Sequence, residues 1–144
     1  MGSVGVILKK KGYDVYSISP EETVFTALQL MAEKNVGCLV VQQEGKVVGI
    51  ISERDYARKI ILKGKFSKDV PVSEIMTSEV IGIHPDEDIE HCMELMTYHR
   101  SRHLPVFEND RLVGIISVGD IVKGIIEKQD EIIQQLENYI KGRR

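Results

Sequence analysis

The sequence predicts an α/β protein of two small sheets with helices outside, built from one unit that occurs twice around a pseudo-twofold axis. Three observations lead there. Gly49-Ile50-Ile51-Ser52-Glu53-Arg54-Asp55 recurs as Gly114-Ile115-Ile116-Ser117-Val118-Gly119-Asp120, each position 65 residues on (49 to 114, 55 to 120). The same spacing pairs Val15 with Val80, Ile18 with Ile83, Pro20 with Pro85, Met31 with Met96, Leu39 with Leu104 and Val48 with Val113, with no gap. Finally, apolar periodicity runs through both copies in one order: strand, helix, hairpin, helix.

Each element has its own signal. Short opening strands are expected at residues 15–17 and 80–82. Ser19-Pro20-Glu21-Glu22-Thr23 and His84-Pro85-Asp86-Glu87-Asp88 punctuate a passage from loop to helix, with proline and acids suited to a first turn. Val24, Ala27, Leu28 and Met31 then recur at helical spacing, as do Ile89, Cys92, Met93 and Met96. Cys38 to Val41 and Val47 to Ile51 flank the polar turn Glu44-Gly45-Lys46, and Leu104 to Phe107 and Leu112 to Ile116 flank Asn109-Asp110-Arg111, so a hairpin is expected in each copy. Second helices start near Ser52 and Ser117. Residues 64–69 read as an exposed linker, and Val72-Ser73-Glu74-Ile75-Met76 as a short helix opening the second copy, matched by residues 4–11 before the first. The expected division is repeat 1 over 4–63, repeat 2 over 72–127 and a helical extension over 128–144. Ile132, Ile133, Leu136 and Ile140 form a stripe along that extension that needs another surface to cover it, which points to a homodimer.

Composition narrows the function. With 144 residues, 42% hydrophobic, the chain can bury a proper core, and a net charge of -3 gives no global field for nucleic acid or an anionic membrane. No apolar run is long enough to span a bilayer and no signal-peptide pattern is present, so a cytoplasmic protein is expected. Cys38 and Cys92 fall in apolar strand and helix patterns and read as small buried residues. His84, His91 and His99 have no partners at metal-ligand spacing, and no nucleophile–base pattern, P-loop or Gly-x-Gly-x-x-Gly occurs. The basic runs Lys9-Lys10-Lys11 and Gly142-Arg143-Arg144 read as solvated ends.

Ser52-x-x-Asp55 and Ser117-x-x-Asp120 admit two readings. Ser-x-x-Asp at a helix start is a capping box, the serine accepting an orphan N–H while the acid reaches back. The same geometry suits a nucleotide: a helix N-terminus preceded by glycine offers amides and a favourable dipole to phosphate, serine adds a hydroxyl, and the carboxylate accepts ribose hydroxyls.

The doubled Gly-Ile-Ile-Ser-x-x-Asp segments, the Ser19-Pro20 and His84-Pro85 openings, Met31-Ala32-Glu33, Arg102-His103-Leu104-Pro105-Val106 and the Val72 to Thr77 connector resemble a tandem pair of CBS domains, a Bateman module. The resemblance spans about residues 4 to 127, and Ser52 to Lys59 is similar to small stand-alone bacterial CBS-pair proteins. It implies an adenosine nucleotide between the repeats, AMP foremost, with ATP, ADP or NAD(H) as alternatives and no metal. The implied ligand residues are Ser52 and Asp55 at one site and Ser117 and Asp120 at the other, with Ser17, Gly37, Cys38, Ile81, Gly82, Leu104 and Pro105 in the cleft around adenine, Arg102 and His103 near the axis where phosphates from either site converge, and Arg54 as a further phosphate ligand. Gly82 stands where the first copy has Ser17, so the second site is expected to bind more weakly or to admit a bulkier ligand. The implied function is a non-enzymatic regulatory sensor acting on another, unidentified protein. The competing readings are a ligand-free scaffold and, less well supported, a nucleotide hydrolase.

Overall fold

The computed structural model describes residues 2–142, so Met1 and the arginines of the expected basic end, Arg143 and Arg144, lie outside the described residues. The chain forms two compact units: residues 14–81 make one, and residues up to 13 join those from 82 onward in the other. In order, the elements are α1 (Val4–Lys11), β1 (Ser17–Ile18), α2 (Val24–Lys34), β2 (Cys38–Gln43), β3 (Lys46–Ser52), α3 (Glu53–Tyr56), α4 (Val72–Ile75), α5 (Ile89–His99), β4 (His103–Glu108), β5 (Arg111–Ser117) and α6 (Val118–Ile140). A π-helical stretch, Ala57–Ile61, continues α3.

In the unit of residues 14–81, the sheet runs β1-β2-β3, with β1 parallel to β2 and β2 antiparallel to β3. Glu44 and Gly45 both take positive φ, 52° and 78°, the pairing that lets a two-residue turn match the twist of its strands. Thr23 caps α2 by accepting the Thr26 N–H at 3.1 Å, and Asn35 ends it in the left-handed region. The buried face of α2 (Val24, Ala27, Met31) meets Leu39, Val41 and Ile51 of the sheet and Ile60 of the π stretch. Val70, Val72 and Ile75 complete this core. The short helix expected to open the second copy therefore packs in the unit of the first.

The other unit repeats the arrangement with α1 in the place of α4. Asp88 caps α5, accepting the His91 N–H at 2.9 Å, and Asn109 and Asp110 make the hairpin turn, both at positive φ. Val4, Ile7, Leu8, Ile89, Cys92, Met96, Leu104, Val106, Ile116 and Ile121 are buried. The two docked helices make matching bonds: Val4 N–H donates to Glu87 O (2.9 Å) as Val72 N–H does to Glu22 O (2.8 Å), and Gly5 N–H to Pro85 O as Ser73 N–H to Pro20 O. Helices and repeats are thus exchanged along the chain, and the helix correspondence (4 to 72, 5 to 73) is 68 positions where the repeats keep 65.

One expected strand is absent, and the other, expected over 15–17, forms instead at Ser17–Ile18. Val40 N–H donates to Tyr16 O at 3.0 Å and supports β1, whereas its counterpart Pro105 has no N–H to give. The parallel pairing of the second copy shrinks to a single bridge, Ile83 to Val106, and residues 80–82 form no strand. α6 runs unbroken from Val118 to Ile140, with Ile132, Ile133, Leu136 and Ile140 exposed.

Candidate functional site

Both Ser-x-x-Asp segments fold as complete capping boxes. Ser52 N–H donates to Asp55 Oδ2 at 3.0 Å, and Asp55 N–H donates back to Ser52 Oγ at 3.2 Å; for Ser117 and Asp120 the distances are 2.9 and 3.1 Å. The first helical amide is also taken, Glu53 N–H by Gly37 O (3.1 Å) and Val118 N–H by Arg102 O (3.0 Å). Of the first three amides of α6, Val118 and Asp120 therefore already have acceptors. A phosphate at this helix start would rely on the serine hydroxyl, the intervening amide and nearby cations.

The glycine of the repeated motif serves another purpose than the one the sequence suggested. Gly49 and Gly114 sit inside β3 and β5, three residues before the serine, under the docked helices. A Cβ on Gly49 would lie 2.7 Å from Met76 Sδ and 2.9 Å from Thr77 O, and one on Gly114 would lie 2.7 Å from Leu8 Cδ2. These glycines permit close approach of the exchanged helix and are not part of the helix N-terminus.

Each aspartate also carries a lysine partner. Lys59 Nζ lies 3.2 Å from Asp55 Oδ1 and donates to Ile75 O of α4 at 2.8 Å. In the other unit Lys11 Nζ of α1 lies 2.5 Å from Asp120 Oδ2 and donates to Ile115 O at 2.7 Å. Lys11 is thus no solvated end. Burial by itself would raise the Asp120 carboxyl, but the Lys11 ammonium, helped by the Ser117 N–H and hydroxyl, holds it below its ordinary value. The Lys11–Asp120 pair borders a cavity of about 670 Å³ with Val6, Ile7, Ile89 and Lys123. Of the expected ligand residues, only Asp120 lines it.

The remaining candidates divide between the units. Ser17, Gly37, Cys38, Ser52, Arg54 and Asp55 fall in one, along with Ile81; Gly82, Arg102, His103, Leu104, Pro105, Ser117 and Asp120 fall in the other. Ser17 Oγ accepts from Gln42 Nε2 at 2.7 Å. At Gly82 a Cβ would lie 2.8 Å from the ring of Phe107, the counterpart of Gln42. Phe107 thus takes the space that a side chain at position 82 would need. Arg102 is exposed, and Leu104 is fully buried in the core. Among the described residues no group of three His, Cys, Asp or Glu could hold a metal ion, and no helix is long and apolar enough to cross a membrane.

A family model for the CBS domain matches residues 8–62 and again residues 72–127. The chain belongs to the CBS-domain family. It holds a tandem CBS pair, a regulatory module, and it is similar over most of its length to other CBS proteins. The CBS domain-containing protein CBSX3, mitochondrial, of Arabidopsis thaliana is 37% identical over 149 residues, covering 97% of this chain and 72% of that protein. A solved CBS-domain protein of Burkholderia ambifaria superposes with a TM-score of 0.85 at 44% identity, over 89% of this chain and 96% of that one. The CBS domain pair of protein MJ0100, solved in complex with 5′-methylthioadenosine and S-adenosyl-L-methionine, superposes at 0.77 with 28% identity, over 89% and 98%.

Proposed function

We propose that this CBS pair is a non-enzymatic sensor of an adenosine nucleotide, AMP foremost, with ADP, ATP and NAD(H) as alternatives, and that it works as a homodimer regulating another protein. The observation that carries this is the duplicated Ser-x-x-Asp helix start, formed alike in both units with a lysine against each carboxylate. Ser117 and Asp120 are assigned to phosphate and ribose in one unit, with Arg102 and His103 supplying further phosphate donors. Ser52 and Asp55 take the same roles in the other, with Arg54 beside them. Ser17, Gly37, Cys38, Ile81, Gly82, Leu104 and Pro105 are assigned to the walls and backbone contacts around adenine. The bound adenosine compounds of the MJ0100 pair support this ligand class. Cys38 and Cys92, both buried and in no disulfide, fit a reducing compartment, for which we take the cytoplasm.

The completed capping boxes favour a second reading, a scaffold that keeps the CBS fold without a ligand, because the Ser52 and Ser117 hydroxyl oxygens and the Asp55 and Asp120 Oδ2 atoms already accept from backbone amides of the motif. Calorimetry with AMP separates the two. The sensor requires saturable heat that weakens by about 1–3 kcal/mol in Asp120→Ala at its site, the usual cost of deleting a charged acceptor. A wild-type protein with no heat for AMP, ATP or NAD(H), and no nucleotide in the mass spectrum of its denatured, freshly purified form, is the scaffold.

A further inference from the structure

The two lysines reach the same place from opposite directions. In the unit of residues 14–81, Lys59 stands on the repeat, one turn after Asp55, and reaches out to a carbonyl of the docked α4, Ile75 O. In the other unit, the position corresponding to Lys59 is Gly124, which has no side chain to offer; a Cβ there would touch Ile7 of α1 at 3.4 Å. The ammonium comes instead from the docked helix itself: Lys11, the last residue of α1, reaches into the repeat, to Asp120 and to Ile115 O. Both arrangements join the motif aspartate, a lysine and the exchanged helix, although the sequences supplying the lysine are unrelated by the repeat. The side chains of Lys11 and Asp120 are 31% and 22% exposed, so the pair is screened less than a surface ion pair yet remains within reach of a solute.

We infer that Lys11 and Lys59 are latches, each clasping an exchanged helix to the aspartate of a Ser-x-x-Asp helix start, and that a nucleoside phosphate at that start releases the clasp by drawing the ammonium to its phosphate. The release rests on the nucleotide-binding reading above; the latch itself does not. A ribose offers Asp120 only neutral hydroxyl donors, which cannot compete with an ammonium for a carboxylate. A phosphate offers Lys11 an alternative anion a few ångströms away. Phosphate-bearing and phosphate-free ligands thus act differently on α1, and the signal of binding is the loosening of its last turn, where Gly12 N–H donates to Leu8 O at 2.7 Å. The core contacts of Val4, Ile7 and Leu8, all buried, keep the rest of α1 in place.

Amide hydrogen exchange of residues 8–12 on the full chain, followed by NMR, tests this with AMP and adenosine as probes and calorimetry run alongside. Without ligand, Lys11→Met is expected to speed exchange in that turn by about five- to thirtyfold, the factor that one to two kcal/mol implies, and Lys11→Arg to restore most of the protection. In the wild type AMP speeds the same amides and adenosine does not, while in Lys11→Met neither does and the preference for AMP over adenosine falls. Lys59→Met gives the parallel result for the amides of Ile75 and Met76. Unchanged ligand-free exchange in both methionine variants overturns the latch. AMP binding by calorimetry without any change at residues 8–12 overturns the release. Absence of heat from either ligand, with the ligand-free difference intact, overturns the binding reading and the release with it, and leaves the latch supported.

Discussion

Leu8 covers Gly114 so closely that a single added methyl group would lie 2.7 Å from Leu8 Cδ2, and Met76 stands in the same relation to Gly49. The two contacts differ in one respect. Above Gly114 the obstacle is the far end of a leucine side chain, whereas above Gly49 it includes a backbone oxygen, Thr77 O at 2.9 Å, which is itself bonded to Ile50 N–H.

Gly114→Ala is therefore expected to destabilise the protein by about 1–2 kcal/mol, as Leu8 shifts, and Gly49→Ala by about 2–3 kcal/mol, since the Thr77–Ile50 pairing must open. Thermal and denaturant unfolding of the two variants check both the sizes and their order. Equal, negligible losses would show that the docked helices yield freely.

The Lys11–Asp120 pair sets an acid limit on stability. Because the folded carboxyl lies below its ordinary value, the pair stabilises the protein fully above the unfolded carboxylate pKa, about 3.9, and this contribution fades as pH falls through the folded value. The melting-temperature gap between wild type and Asp120→Asn is accordingly expected to be constant from pH 7 to about 5 and to close on further acidification. Melting curves between pH 7 and 3 check it; a gap that widens in acid has the wrong sign.

Cys92 is completely buried, and burial first, then the nearby Glu87 and Asp88 charges, push its thiol up to about 11. At pH 8 it is protonated as well as inaccessible. In a Cys38→Ser background Cys92 is expected to resist a soluble disulfide reagent in native buffer and to react at once in denaturant. Prompt reaction in native buffer would place the start of α5 in frequent local opening.

Hairpins, long helices and capping boxes were legible because their causes are local: alternation, helical spacing, a serine three residues before an aspartate. The Asp55–Lys59 pair was legible in principle for the same reason, as an i,i+4 acid and base on one helix. Lys11 and Asp120 are 109 positions apart, and no short-range pattern connects them. The exchange of α1 and α4 was hidden because the repeat spacing of 65 misaligns the docked helices by three residues, placing Leu8 opposite Ser73 where packing places it opposite Met76. Pro105 is visible as part of a motif, yet its missing N–H, which costs the second copy its opening strand, is a matter of what lies beside it. Phe107 likewise fills the space over Gly82 through a contact that no spacing announces.

The last expectation concerns α6. It runs 23 residues, and beyond the buried Ile121 its apolar residues Val122, Ile126, Ile132, Ile133 and Leu136 stay about half exposed while Ile140 is 81% exposed. Val122, Gln129 and Leu136 fall seven residues apart, as do Ile125, Ile132 and Tyr139, and Ile126, Ile133 and Ile140 flank them: a seam as wide as a helix that packs against more than one neighbour, with one polar position at Gln129. Covering a side chain of this kind contributes about 1.5–3 kcal/mol, so Ile132, Ile133, Leu136 and Ile140 from each of two subunits can outweigh the cost of association. We expect a homodimer in solution and a shift toward monomer in the double variant Ile133→Asp, Leu136→Asp, whose repeats keep their fold because neither residue reaches the core. Light scattering at micromolar concentration reads this directly. A wild-type particle of 16.3 kDa would refute the dimer, and α6 would then carry its apolar seam uncovered by a second copy.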